Sequence, residues 1–227
     1  MYSKIIQSPA LVRVVPFAVF LALTFLQDRC GEAARYWIYL AKTLAGAGML
    51  FVVARHIEEL KWRISGVAVL VGVAVFALWV GMDEGIARLG LPPFHRMKNS
   101  GDEWNPALTF AASRPLAIFF IVVRILGSTL VVPPLEEVFY RSFVYRFLAG
   151  KDFLAVPLGK FVLMPFIVTS LLFGFEHHEW LAGVLCGFAY QGLVLWKGRL
   201  GDAITAHAVT IFLLGLWVVW KGAWQFW

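Results

Sequence analysis

The sequence predicts an all-α protein that crosses the membrane as a polytopic bundle of about seven helices, seven to eight in all. Of its 227 residues, 60% are hydrophobic and 15% are charged, and the mean hydropathy is +0.76. These values lie far outside the range of a soluble domain of this length. A spanning helix needs about 20 largely apolar residues. The stretches that meet or approach this requirement are 7–27, 36–54, 64–82, 115–135, 161–177, 181–196 and 203–220.

The chain is expected to form one integral membrane domain over 1–227, because it shows no internal repeat, low-complexity segment or linker. The first stretch follows Lys4 and Arg13 without a small-residue cleavage site after it, which indicates an uncleaved anchor. The basic residues favour a cytoplasmic N-terminus and a multi-pass protein of the inner (plasma) membrane. The net charge of +6 therefore reflects topology, and no nucleic-acid partner is expected.

The segment 83–114 is the one sizeable extramembrane piece that the sequence predicts. It contains Pro92, Pro93, His95, Asp102 and Glu103. We interpret it as a solvated loop between two spans.

Glu136, Glu137 and Arg141 place two carboxylates and a guanidinium inside an apolar stretch, where charge is expensive and usually functional. On a helix Glu137 and Arg141 are four residues apart and share a face, whereas Glu136 is rotated by about 100° from Glu137. Arg141 can thus neutralise Glu137 and leave Glu136 free to act.

His177 ends the fifth apolar stretch, four residues after Phe173. Counted from the turn at 150–160, Glu136 is about 21 Å and His177 about 25 Å along two antiparallel helices. The two side chains are therefore expected at nearly the same depth. A carboxylate and an imidazole that meet inside a bundle are well suited to hold and deprotonate a water molecule.

His207 opens the last apolar stretch and is the third candidate. On straight-helix counting it lies closer to the cytoplasmic surface than Glu136. The mismatch closes if Gly198 to Asp202 enter the bundle as irregular backbone, which is allowed where the backbone faces protein.

At these three motifs the chain resembles the CPBP family of intramembrane proteases, which includes the CAAX prenyl protease-related enzymes and the bacteriocin-processing and immunity proteins. The resemblance covers about 115–220 and rests on Glu-Glu-x-x-x-Arg at Glu136 to Arg141, Phe-x-x-x-His at Phe173 to His177, and His207 in the last helix. The closing segment from Gly215 to Trp227 also resembles a bacterial, exosortase-associated branch.

The resemblance implies a glutamic-type endopeptidase, a hydrolase that cuts a peptide bond of a membrane-associated substrate. Glu136 and His177 would activate the water, Glu137 and Arg141 would orient that pair, and His207 would help to stabilise the oxyanion. The family usually has Asn four residues after the last-helix His, and here that position is Ile211. The loss of one oxyanion donor typically costs about 10²- to 10³-fold in rate, unless a neighbour such as Thr210 replaces it.

Three alternatives remain open at the level of sequence. Glu136, His177 and His207 offer the two-His, one-carboxylate set of a catalytic zinc site, although no cofactor is required by the glutamic mechanism. Ile211 is compatible with a non-catalytic membrane adaptor or immunity protein on a protease scaffold. A proton-coupled carrier would use Arg124 and Glu136 as relay groups, although the broken helices typical of carriers are not repeated in this sequence.

Overall fold

The computed structural model describes residues 2–27, 29–88 and 104–227. The fold is 76% helix, and the described part of the chain contains no strand, which confirms the all-α class. The helices, in chain order, are α1 (Tyr2–Gln7), α2 (Leu11–Gln27), α3 (Ala34–Ala54), α4 (Gly66–Arg88), α5 (Pro106–Thr109), α6 (Arg114–Leu130), α7 (Val132–Glu137), a π-helical segment (Val138–Val144), α8 (Tyr145–Ala149), α9 (Leu163–Glu176), α10 (Trp180–Lys197), α11 (Gly201–Lys221) and a 3₁₀ turn (Trp224–Phe226).

Each predicted apolar stretch overlaps one or two of these helices. Among the described residues, three helices are long and apolar enough to cross a membrane: α3, the continuous run Arg114–Ala149, and α11. α2, the first part of α4 and α9 are shorter apolar helices. Large apolar side chains cover the outside, among them Phe51 at 86% and Ile64 at 81% exposure. The chain is therefore a membrane protein, while the number of seven spans stays a prediction.

Two boundaries differ from the expectation. The first span begins at Leu11 because Pro9 disfavours helix at Ser8, whose hydroxyl caps the new helix by accepting from the Leu11 N–H at 3.3 Å. The predicted loop 83–114 begins later than expected, since α4 continues to Arg88, and Pro106–Thr109 within it form α5. His95, Asp102 and Glu103 of this loop fall on residues 89–103, which lie outside the described part.

The run from Arg114 to Ala149 changes its helical form at the candidate carboxylates. Pro133 and Pro134 occupy the first turn of α7, where the missing N–H groups cost least. The chain then widens into the π-helical segment directly after Glu137. Such segments are rare and often lie at functional sites, because the wider turn re-aims the side chains that follow it.

α9 and α10 form a tight antiparallel hairpin. A Cβ on Gly174 would lie 2.2 Å from Val184 Cγ2 and 2.5 Å from the Val184 nitrogen, and a Cβ on Gly187 would lie 2.8 Å from the Ser170 carbonyl oxygen. The two backbones therefore touch without intervening side chains. This contact fixes the end of α9, where His177 follows.

Gly174→Ala is expected to destabilise the protein by about 1–3 kcal/mol, because the new methyl group meets backbone that has no room to shift. Gly192→Ala on the same hairpin is the matched control, since a Cβ there meets nothing within 4 Å. The measurement is the melting temperature of both variants in detergent. Equal melting temperatures would contradict the backbone contact.

Candidate active site

The carboxylate of Glu137 is the centre of a fully buried charge network. Its Oε1 accepts a hydrogen bond from Nδ1 of His207 at 3.0 Å, and its Oε2 lies 3.3 Å from Nε of Arg141. Glu137 and Arg141 are both 0% exposed. The Arg141 guanidinium also lies 4.2 Å from the centre of the Phe173 ring, a cation–π contact. The predicted pairing of Glu137 with Arg141 is thus present.

Glu136 remains outside these hydrogen bonds. Its Oε2 is buried but has no hydrogen-bond partner, and Nε2 of His207 lies 3.8 Å from it. A buried carboxylate oxygen without a partner is costly to the fold. It is also available to accept a proton from a water molecule placed between the helices.

His207 reaches this depth because the first turn of α11 is itself buried. α10 ends at Lys197, the following Gly198 has a φ of 63° that ends the helix, and α11 begins at Gly201. A Cβ on Gly201 would lie 2.1 Å from the Lys61 carbonyl oxygen, and the Thr205 hydroxyl donates to the Arg63 carbonyl at 2.7 Å. The connection between α3 and α4 therefore covers the start of α11. The expectation of irregular backbone from Gly198 to Asp202 is wrong for Gly201 and Asp202, which are helical.

The ring of His207 is held on its other side by Tyr190. The two rings stack with 4.9 Å between centroids. The Tyr190 hydroxyl donates to the Thr210 hydroxyl at 2.8 Å, which in turn donates to the Gly72 carbonyl at 2.9 Å. The proton of Thr210 is therefore already committed, and Thr210 does not replace the amide that Ile211 lacks.

His177 closes α9 and is linked to the network through Phe173. Its Nδ1–H donates to the Phe173 carbonyl oxygen at 2.8 Å, which leaves the lone pair of Nε2 free in the neutral ring. Phe173 touches the rings of His177 at 4.8 Å and His207 at 5.7 Å. Among the described residues no hydrogen bond joins His177 directly to Glu136. The structure thus brings Glu136, Glu137, Arg141 and His207 together, with His177 one aromatic ring away.

Two residues that the sequence analysis did not assign also belong to this region. The Tyr140 hydroxyl donates to Oε2 of Glu176 at 2.6 Å, and the Tyr140 ring packs on Phe173 with 5.4 Å between centroids. The sequence carried a signal for both residues. Tyr140 is four residues after Glu136 and shares its face on a helix, and Glu176 directly precedes His177.

The π-helical segment is anchored from outside the spans by Glu59. The Glu59 carboxylate accepts from the Ser142 hydroxyl, from Arg13 at 2.8 Å and from Arg146 at 3.1 Å. Burial raises the pKa of Glu59, but the hydrogen bonds from Ser142 and Arg13 outweigh it and hold the pKa below its ordinary value. Glu59 is therefore ionised at neutral pH and binds the segment to α2.

The residues proposed as zinc ligands do not converge on one point in this arrangement. Within the described residues, no three His, Cys, Asp or Glu side chains are grouped so that they could hold a metal ion. Nδ1 of His207 is engaged by Glu137 and Nδ1 of His177 by Phe173, so only their Nε2 atoms could serve.

A protein-family model matches the segment of the chain that contains this site. Residues 114–213 match the model of the Rce1-like family, described as type II CAAX prenyl endopeptidase Rce1-like. The resemblance to CAAX-type intramembrane proteases is confirmed. The Rce1-like segment contains the candidate residues Glu136, Glu137, Arg141, His177 and His207 and supports an intramembrane CAAX-protease-type function. No curated protein and no solved structure matches the chain significantly.

Arg141→Ala is expected to cost about 3–5 kcal/mol of stability, because it leaves Glu137 as a buried charge with one partner fewer. Adding Glu137→Gln should recover part of that loss, since the uncompensated charge is removed. Detergent melting temperatures of the single and double variants provide the measurement. If Arg141→Ala melts like the wild type, the pair does not stabilise the fold.

Proposed function

We propose that this protein is an intramembrane endopeptidase that hydrolyses a peptide bond of a membrane-associated substrate with a water molecule activated by Glu136 and His177. The observation that carries the proposal is the contrast between two adjacent glutamates. Glu137 accepts a hydrogen bond from His207 and its Oε2 forms an ion pair with Arg141, whereas Oε2 of Glu136 is buried beside them without a hydrogen-bond partner. A structural ion pair with Arg141 would need only the carboxylate of Glu137.

The free atoms of the site fit general-base hydrolysis. Oε2 of Glu136 and Nε2 of His177 are acceptors that could each hold one hydrogen of a water molecule. As the water oxygen bonds to the carbonyl carbon, one water proton passes to Glu136 and the carbonyl π electrons move to the oxygen. When the C–N bond breaks, its electron pair leaves with the nitrogen, which takes the proton back from Glu136. The products are a carboxylic acid and an amine.

Glu137 and Arg141 act as positioning residues in this scheme. Glu137 accepts from the Nδ1–H of His207, Arg141 pairs with Glu137, and the Tyr190 ring stacks on the His207 ring. With Nδ1–H given to Glu137, His207 can donate to an oxyanion only through Nε2 and only as the imidazolium.

The second candidate function is a non-catalytic adaptor, and Ile211 is the observation that favours it. Ile211 lies one turn after His207 on α11 and carries no hydrogen-bond donor. The partner of either an enzyme or an adaptor would be a peptide or protein in the bilayer. The comparison of wild type with Glu136→Gln separates the two functions.

Glu136→Gln is expected to abolish proteolysis and leave the fold intact, because it removes the base but keeps the shape of the side chain. New protein amino termini are compared by mass spectrometry between membranes of cells that produce the wild type and cells that produce the variant. A peptide spanning the cleavage found in this way then serves to measure turnover. Glu58→Gln is the control, since Glu58 is exposed and lies outside the site.

Three results would contradict parts of the proposal. The absence of any wild-type-specific amino terminus would favour the adaptor. Turnover above a tenth of wild type in Glu136→Gln would eliminate the general base. Loss of turnover on chelation, together with zinc in protein purified without added metal, would replace the glutamic mechanism by a zinc-dependent one.

We also propose that the N-terminus and the turn at 150–160 face the cytoplasm in the inner membrane. The half-exposed Cys30 would then react with a membrane-impermeant thiol reagent from the outer side, while Cys186 stays buried. In a Cys30→Ser background, Ala155→Cys should react only after the inner side is made accessible, because Ala155 lies exposed on that turn. Reaction of Ala155→Cys in sealed cells would show that the turn at 150–160 faces the outer side, opposite to the proposed topology.

A further inference from the structure

We propose that the indole N–H of Trp79 donates a hydrogen bond to the carbonyl oxygen of the scissile peptide as it becomes an oxyanion. Trp79 would thereby take the place of the amide that is absent at Ile211. This inference rests on the proposed function and adds a catalytic residue to it.

The first observation is a buried donor without a partner. Trp79 is 8% exposed, and its Nε1 is buried and has no hydrogen-bond partner. Buried indole N–H groups usually find an acceptor, because leaving the donor unpaired costs about 1–3 kcal/mol. A carbonyl oxygen of a bound substrate would satisfy it.

The second observation is where this donor lies. The Trp79 ring packs at a steep angle of 70° against the ring of His177, with 5.6 Å between centroids. α4 packs closely against α11 at Gly72, since a Cβ on Gly72 would lie 2.5 Å from the Ala206 carbonyl oxygen. Trp79 follows Gly72 by about two turns of α4. Trp79 is therefore a buried side chain that packs on His177, one of the two groups that would activate the water.

The third observation concerns Thr210 and His207, the other candidate donors to the oxyanion. Each either donates to another group already or donates only in one protonation state. Thr210 donates to Gly72 and Ala206, and His207 gives its Nδ1–H to Glu137. The Nε2 of His207 donates only when the ring is protonated. The indole N–H is a donor at every pH, and a preorganised donor in a dry site stabilises a developing oxyanion strongly.

Other buried donors without partners serve this purpose less well. Nε of Arg141 faces Glu137 in the ion pair, and Nη1 of Arg141, which also has no hydrogen-bond partner, belongs to the same guanidinium that neutralises Glu137. Trp104 lies in a second aromatic cluster around Tyr36 and Phe120. Trp79 belongs to the core cluster that contains Phe173 and Tyr140. Of the two buried indoles with an unpaired N–H among the described residues, Trp79 is thus the one packed at the candidate site.

The test replaces the donor without changing the shape of the ring. Trp79 is substituted by 3-benzothienylalanine, in which sulfur takes the place of the N–H, and by Phe in a second variant. The assay is turnover of the peptide found with the Glu136→Gln comparison. We expect kcat to fall by about 10²- to 10³-fold with KM nearly unchanged, as for the loss of one oxyanion donor. Trp217→Phe is the control, since Trp217 packs on Phe76 away from His177.

A second arm adds a donor back. Ile211→Asn should raise kcat by at least tenfold in the Trp79→Phe variant and by a smaller factor in the wild type, because one donor is already present there. A benzothienylalanine variant with wild-type kcat, or one in which only KM changes, overturns the inference and leaves Glu136 as the base. Absence of any cleavage that depends on Glu136 overturns the proposed function itself, and the role of Trp79 with it.

Discussion

The burial of the Glu137 carboxylate between Arg141 and His207 is the interaction on which this arrangement depends. A carboxylate at 0% exposure inside an apolar bundle is stable only if its partners arrive from fixed directions. One partner comes from the π-helical segment and the other from α11, so the charge network sets the register between the two. α9 joins through Phe173, on which the Arg141 guanidinium rests. The polar centre thus acts as a positioning device for the fold as well as for chemistry.

Aromatic side chains surround the polar centre and make its surroundings apolar. Phe173 and Tyr190 cover the imidazole of His207, and Trp79 packs on His177. Apolar rings exclude water, and electrostatic interactions in a medium of low dielectric constant are stronger than in water. A few fixed donors and acceptors can therefore have large effects on a reacting peptide. The missing amide at Ile211 matters for the same reason.

Periodicity predicted the helices and part of the site, because both depend on neighbours along the chain. Glu137 and Arg141 are four residues apart and therefore share a helix face, and the pair forms as expected. The depth of His207 was not predictable, since it depends on Lys61 and Arg63, more than a hundred residues earlier in the chain, which cover the start of α11. The contact of Tyr140 with Glu176 and the unpaired indole of Trp79 depend on the packing of separate helices in the same way. The spacing of residues along one helix does not predict contacts between separate helices.

The shortness of α9 has a consequence for the surrounding lipid. Its 14 residues span about 21 Å, well below the roughly 30 Å thickness of a bilayer core. Lipid next to a short hydrophobic segment thins to match it, at a cost of fractions of a kcal/mol per Å. Head groups and water would then lie closer to His177 than the position of this residue along the bundle suggests. A substrate helix entering from the side would find a thinner barrier here, so hydrophobic mismatch could supply the site with both peptide and water.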